Sequence, residues 1–241
     1  MDPVHKLEEG VEGGFWVKDP PLSGYAKPRK LERLHVNSPI AATEKIASDL
    51  AYELDLPVPP VTLFSRESYP KTEMGQHAVS LPPFSEVLTW KQICANPVLN
   101  GIARSCSQGA MSAILPFDTW LHCHDHYDHG GNLLVSILNE KTCNFAFIDY
   151  SWSLAFSWKL ANYKENYVAP CYDPATTPDL KVLESTIQAI ETLDDAKIDQ
   201  IVSRIPGDFL TLEDRQLILD GLMYRKQNLR SIIGSCYAEV V

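Results

Sequence analysis

The segment His122-Cys-His-Asp-His-Tyr-Asp-His-Gly-Gly-Asn132 packs four histidines and two aspartates into eleven residues. No helix or strand can bury such a run without leaving polar groups unpaired, so it must be a connection at the edge of the core. Its flanks then determine what surrounds it. Before it, Ala110 to Leu121 places Ile114, Phe117, Trp120 and Leu121 along one side of a helix. After it come two apolar runs, Leu133-Leu-Val-Ser-Ile137 and Phe145-Ala-Phe-Ile148, joined by the turn Asn139-Glu-Lys-Thr, which predicts a hairpin. Asp149 stands at the end of its second strand. A helix, a polar connection and a hairpin ending in a carboxylate form the unit around which the rest must be arranged.

Upstream, Phe15-Trp-Val17 and Tyr25-Ala-Lys27 flank Pro20-Pro21-Leu-Ser-Gly24 and predict a hairpin with Lys27 at the end of its second strand. Ile46, Ala47, Leu50, Ala51 and Leu54 recur at helical spacing from Ala41, with Asn37 or Ser38 as caps. Leu56-Pro-Val-Pro-Pro60 stops that helix because prolines lack donors and impose extended geometry. Short strands follow at Val61–Phe64 and His77–Leu81, and a connector between lobes falls between Ser80 and Leu88. Leu99–Cys106 is a separate helix preceding Ala110–Leu121. The stretch from Trp158 to Pro178, rich in tyrosine and proline, reads as an ordered irregular loop, and helices occupy Val182–Leu193, Ala196–Ile205 and Leu212–Ile233.

Composition excludes several classes. The net charge of −10 and the lack of any long Lys or Arg run argue against direct nucleic-acid binding. No apolar run approaches the roughly 20 residues of a spanning helix. The N-terminus has no apolar signal-peptide core, and six scattered cysteines without a Cys-x-x-Cys pair suit free thiols in a reducing cytosol.

Two chemistries compete for the polar segment. His124-Asp-His126-Tyr-Asp128-His129 satisfies His-x-His-x-Asp-His, similar to the metal-binding pattern of the metallo-β-lactamase family. That site needs further imidazoles downstream, and the last of the seven histidines is His129. Phosphoryl transfer instead needs a cation on the phosphates, oxygen ligands for Mg²⁺ and a carboxylate near the attacking hydroxyl. Lys27, Glu44, Asp125 or Asp128, Asn132 and Asp149 supply these in a sensible order. Taken singly, Lys27 and Glu44 would pass for solvated surface charges. Asp149 would not, because a carboxylate closing a buried strand requires a partner or a metal.

The pieces Gly24-Tyr-Ala-Lys27, Ala42-Thr-Glu44 through Pro60, Phe117-Asp-Thr-Trp120, Gly131-Asn-Leu-Leu-Val135 and Phe147-Ile-Asp-Tyr-Ser-Trp-Ser-Leu-Ala-Phe156 together resemble the HipA-like kinases, as do Ile205-Pro-Gly-Asp-Phe209 and Leu222–Leu229. The resemblance implies an α+β, two-lobed protein-kinase-like fold, with a β-rich N-lobe over residues 1–86 and a mostly helical C-lobe over residues 87–241. It implies ATP and Mg²⁺ as cofactors, Lys27 on the phosphates oriented by Glu44, and Asn132 and Asp149 on the metal. The acceptor it implies is a hydroxyl, most plausibly of a protein Ser or Thr, with a small molecule as the other option and a regulatory protein as a further partner. The usual base position, five residues before Asn132, holds Tyr127, which leaves Asp125, favoured over Asp128, or a pseudokinase. The chain is too short for the extra N-terminal domain of the larger toxin-type members, so a toxin role is not carried over from the resemblance.

Overall fold

Short extended segments separated by proline and glycine cannot form helices, and in the first eighty residues they pair with one another instead. The computed structural model describes residues 2–6, 15–19, 22–28, 31–33, 36–64, 77–84, 87–126 and 130–237. Strands β1 (Asp2–Lys6), β2 (Phe15–Asp19) and β3 (Leu22–Pro28) are followed by the small ribbon β4 (Leu31–Arg33) and β5 (Val36–Ser38). Helix α1 (Ile40–Glu53), β6 (Val61–Phe64) and β7 (His77–Ser80) complete this part. The main sheet is antiparallel with order β1-β2-β3-β7-β6, and Trp16 pairs with Tyr25 in the register of the β2–β3 hairpin. The turn at Pro20-Pro21 lies outside the described residues, as does the polar stretch 65–76.

Lys27 lies on β3, the middle strand, opposite Ala78 of β7. The two strands approach closely at Gly24, where an added Cβ would stand 2.5 Å from Val79 Cγ1 and 2.7 Å from the Ser80 carbonyl oxygen. Helix α1 packs on β3, β6 and β7. Its alanines at 41, 42, 47 and 51 are fully buried and let the helix press against the sheet, which also buries Glu44. Neither Asn37 nor Ser38 caps this helix. Pro39 holds the N-cap position, and its carbonyl accepts from Thr43 N at 3.0 Å.

The remainder is mostly helical around one small sheet. Strand β8 (Leu88–Thr89) leads into α2 (Trp90–Cys94), a short helix started by a reciprocal Thr89–Gln92 capping box. Helix α3 (Pro97–Leu121) then runs unbroken through what the sequence divides into two helices. Gly109 does not interrupt it, because its position is open, with nothing within 4 Å of where a methyl would stand, and glycine costs a long, well-packed helix only about 1 kcal/mol. Strands β9 (Leu133–Asn139) and β10 (Thr142–Phe147) form the expected hairpin, with β8 on its edge. Helices α4 (Ala155–Leu160), α5 (Leu180–Thr192), α6 (Asp195–Ser203) and α7 (Leu212–Gly234) follow. Helices α3, α5 and α7 pack on one another, and Phe117, Trp120, Leu183, Ile187, Ile218 and Leu222 lie in the core they share. Among the described residues no helix is long and apolar enough to cross a membrane.

Helix α4 crosses α7 at Gly221, where a Cβ would meet the Trp158 ring at 2.6 Å. Both partners are buried, so neither can yield cheaply. Gly221→Ala should destabilise the fold by about 1–3 kcal/mol, the range for overpacking a well-filled core. Thermal unfolding of the variant beside the parent measures this, and an unchanged midpoint would contradict the packing.

Candidate active site

The ends of the β9–β10 hairpin are drawn together by Ile148 N donating to the Asn132 carbonyl at 2.9 Å, so Asn132 and Asp149 leave the sheet at the same edge. Phe147 N donates to the Pro57 carbonyl at 2.8 Å, which ties this edge to the proline-rich turn after α1. The sheet of the first part and the hairpin of the second therefore meet where the carboxylate emerges.

There the Lys27 amine donates to Glu44 Oε1 at 2.8 Å and to Ser151 Oγ at 2.9 Å, and it forms an ion pair with Asp149 Oδ1. Ser151 Oγ lies 2.7 Å from Asp149 Oδ1 and 3.0 Å from Glu44 Oε1, and its single proton serves one carboxylate at a time. Tyr150 N donates to Glu44 Oε1 at 3.1 Å. Lys27 and Glu44 are 6% and 3% exposed, which rules out solvated surface charges for both. Asp149 is half-buried; desolvation alone would raise its pKa, but Lys27 and the Ser151 donors hold it below the ordinary carboxylate value.

Asp125 lies in the connection after α3, and the Asn132 amide reaches its carbonyl and carboxylate oxygens in long contacts of 3.4 and 3.5 Å. The structure thus brings Lys27, Glu44 and Asp149 into one cluster and Asp125 beside Asn132. Asp128, with Tyr127 and His129, lies outside the described residues.

The histidines separate into two environments. His122 caps α3 in the left-handed conformation, φ 57°, and its buried ring stacks 4.6 Å from both His124 and Tyr167. Burial, and then the neighbouring Arg225 cation, lower its pKa to about 3. His126 turns inward, with Nδ1 2.8 Å from Asp118 Oδ2 and Nε2 3.1 Å from the Asp149 carbonyl oxygen. Burial would lower its pKa, but the Asp118 carboxylate and Cys123 outweigh burial and raise it well above the usual value. The described members of the His-x-His-x-Asp-His pattern therefore do not converge on a common centre, against the hydrolase expectation. Asp118, Cys123 and His126 are close enough to hold a metal, yet both ring nitrogens of His126 are already engaged.

A family model described as HipA-like kinase matches residues 32–236. The chain belongs to the HipA-like kinases. It is therefore a phosphotransferase by family, with the α+β kinase fold expected from its motifs. Among solved structures, this HipA-like kinase is similar to the crystal structure of the Helicobacter pylori proinflammatory kinase CtkA, with a TM-score of 0.70 and 13% identity over 100% of this chain and 96% of that one. At that identity the likeness is one of fold. Curated protein sequences yield no match.

Sequence reasoning missed Ser151 and Asp118, and weighed His126 only as a metal ligand of the hydrolase pattern. A signal existed for Asp118: a charged residue beside Phe117 and Trp120 on the apolar side of a helix demands a buried partner. Ser151 had none beyond its place two residues after Asp149.

Proposed function

We propose that this chain transfers the γ-phosphoryl group of ATP, with Mg²⁺, to a hydroxyl of a protein Ser or Thr. The observation that carries this reading is the meeting of one cation, Lys27, with two carboxylates, Glu44 and Asp149, around the Ser151 hydroxyl. Lys27 is shared between two carboxylates, and a divalent cation at the half-buried Asp149 would add favourable charge there. Asp149 and Asn132 offer hard oxygen donors of the kind Mg²⁺ prefers. When bound, Mg²⁺ supplies charge neutralisation across the β- and γ-phosphates.

In this reading residues 1–86 form the phosphate-gripping lobe and residues 87–241 the catalytic lobe. Glu44 anchors Lys27 while its amine turns from Asp149 to the α- and β-phosphate oxygens. Asp125 accepts the acceptor's proton; the hydroxyl oxygen bonds to the γ-phosphorus, and the bond to the bridging oxygen breaks to release ADP. The long contact between the Asn132 amide and Asp125 supports Asp125 in this role. The free cysteines suit work in the cytosol, where a regulatory protein partner is compatible with the fold.

Calorimetry with ADP and Mg²⁺, and phosphate incorporation from γ-labelled ATP into the chain and a Ser/Thr peptide mixture, test the proposal. The expected result is Mg²⁺-dependent binding, with transfer lost in Asp125→Asn. Absence of Mg²⁺-dependent nucleotide binding would overturn it. Binding without transfer would select the pseudokinase reading, which Tyr127 at the usual base position favours.

A further inference from the structure

Asp149 occupies the left-handed region, with φ 73°. For a residue with a Cβ this conformation is unfavourable, and it persists only where the surroundings impose it. Its side chain is held by Lys27 and Ser151, but those contacts are the ones that metal and nucleotide would exchange. The backbone has a separate restraint. His126 Nε2 donates to the Asp149 carbonyl at 3.1 Å, and Nδ1 meets Asp118 Oδ2 at 2.8 Å. Asp118 belongs to the last turns of α3, deep in the core, and both it and His126 are buried, at 4% and 3% exposure.

We infer that Asp118 and His126 are positioning residues, a clamp from helix α3 to the Asp149 peptide that fixes the carboxylate's direction for metal binding. This inference rests on the kinase reading of Asp149. An imidazole with both nitrogens directed by buried partners has a single orientation, and it is bounded by the Tyr150 ring at 4.5 Å and the Phe147 ring at 6.2 Å. The clamp makes no described hydrogen bond to Lys27 or Glu44 themselves. Tyr150 N, in the same peptide as the Asp149 carbonyl, donates to Glu44 Oε1 at 3.1 Å, so this peptide is restrained from the phosphate side by Glu44 and from the metal side by His126. The connection from Cys123 to His126 also carries Asp125, so the same ring joins the two segments that must face each other across the transferred group.

The test compares side chains that can and cannot reach the Asp149 carbonyl. Removing His126 alone would strand the buried Asp118 carboxylate, so both variants carry Asp118→Asn. The amide that this substitution introduces can donate to Nδ1 and leave Nε2–H on the Asp149 carbonyl, so D118N alone keeps the clamp. In D118N/H126Q the glutamine amide ends near the Nε2 position, and in D118N/H126N the shorter amide stops near Nδ1. The readouts are the Mg²⁺ concentration for half-maximal ADP binding and, separately, ADP affinity without metal. D118N/H126N should need roughly 10- to 100-fold more Mg²⁺, the usual cost of losing an outer-shell partner, and D118N/H126Q less than about fivefold more. Metal-free ADP affinity should stay within about threefold in both, since the Lys27–Glu44 contact is not itself altered and Glu44 still accepts from Tyr150 N. Equal Mg²⁺ requirements for the two double variants would overturn the clamp while leaving the kinase reading standing. A parent chain that binds ADP without regard to Mg²⁺ would overturn both. A merely structural role would lower the unfolding midpoint of the two variants without separating their Mg²⁺ requirements, and that result too would overturn the clamp.

Discussion

Asp149→Asn should reduce phosphoryl transfer by roughly 10³-fold or more, because a metal-held charge contributes several kcal/mol to the transition state and each 1.36 kcal/mol is a factor of ten. Asparagine matches the volume of aspartate and can still accept from Ser151, whose nitrogen and hydroxyl both point at Oδ1. The backbone restraint from His126 is likewise preserved, since it acts on the carbonyl. Only the charge is removed. Lys27, relieved of one of its two carboxylate partners, remains bound to Glu44 at 2.8 Å. The variant should therefore fold normally and bind metal-free nucleotide about as well as the parent or slightly better, while its Mg²⁺ dependence flattens. Transfer from γ-labelled ATP, followed as a function of Mg²⁺, measures this. Activity within tenfold of the parent would remove Asp149 from the metal role.

The legibility of this site in the sequence differed from residue to residue for physical reasons. Asp149 was readable because an apolar run bounded by turn residues defines a buried strand, and a carboxylate at its end is costly unless partnered. The β9–β10 hairpin was readable for the same reason. Glu44 was not readable from the residues alone. Its helix carries small alanines on several faces, and only the packing of α1 against β3, β6 and β7 decides that a carboxylate there is buried. Its place in the site depended on the family resemblance. Ser151 and His126 gain their roles from contacts across 107 and 23 residues, which no local pattern encodes. The histidine cluster misled in a specific way: four imidazoles close in sequence suggest convergence, but the His122 and His124 rings gather against Tyr167 while His126 turns inward to Asp118. Strands β1, β4 and β5 and helix α2 are too short for periodicity to reveal, although the Thr89–Gln92 spacing was a visible cap signal.

Arg225→Met should destabilise the protein by about 4 kcal/mol or more, a large part of the roughly 5–15 kcal/mol that holds a typical domain together. The guanidinium on α7 is fully buried and donates to the carbonyls of Thr119, Tyr163, Glu165 and Tyr167 at 2.6–3.2 Å. Thr119 lies in the last turn of α3, where unsatisfied carbonyls favour a cation. One side chain thus closes the end of α3 and orders the irregular tyrosine-rich stretch against it. Burial lowers the pKa of Arg225 to about 10, still well above neutrality, so the charge is retained. Methionine conserves bulk but removes five hydrogen bonds donated by a buried cation, each worth about 1 kcal/mol or more. Lysine is no substitute, because a single ammonium cannot fork between carbonyls on two segments. Urea unfolding followed by circular dichroism should show the midpoint fall steeply for Arg225→Met and nearly as much for Arg225→Lys. The damage should also reach the active site before global unfolding. Tyr167, whose carbonyl Arg225 holds, donates its hydroxyl to the Cys123 carbonyl at 2.7 Å and stacks 4.2 Å from His124, next to Asp125. Below the unfolding midpoint, phosphoryl transfer should therefore decline at lower urea than the circular dichroism signal does. Coincident loss of both, with a midpoint near the parent's, would mean that Arg225 is dispensable to this corner of the fold.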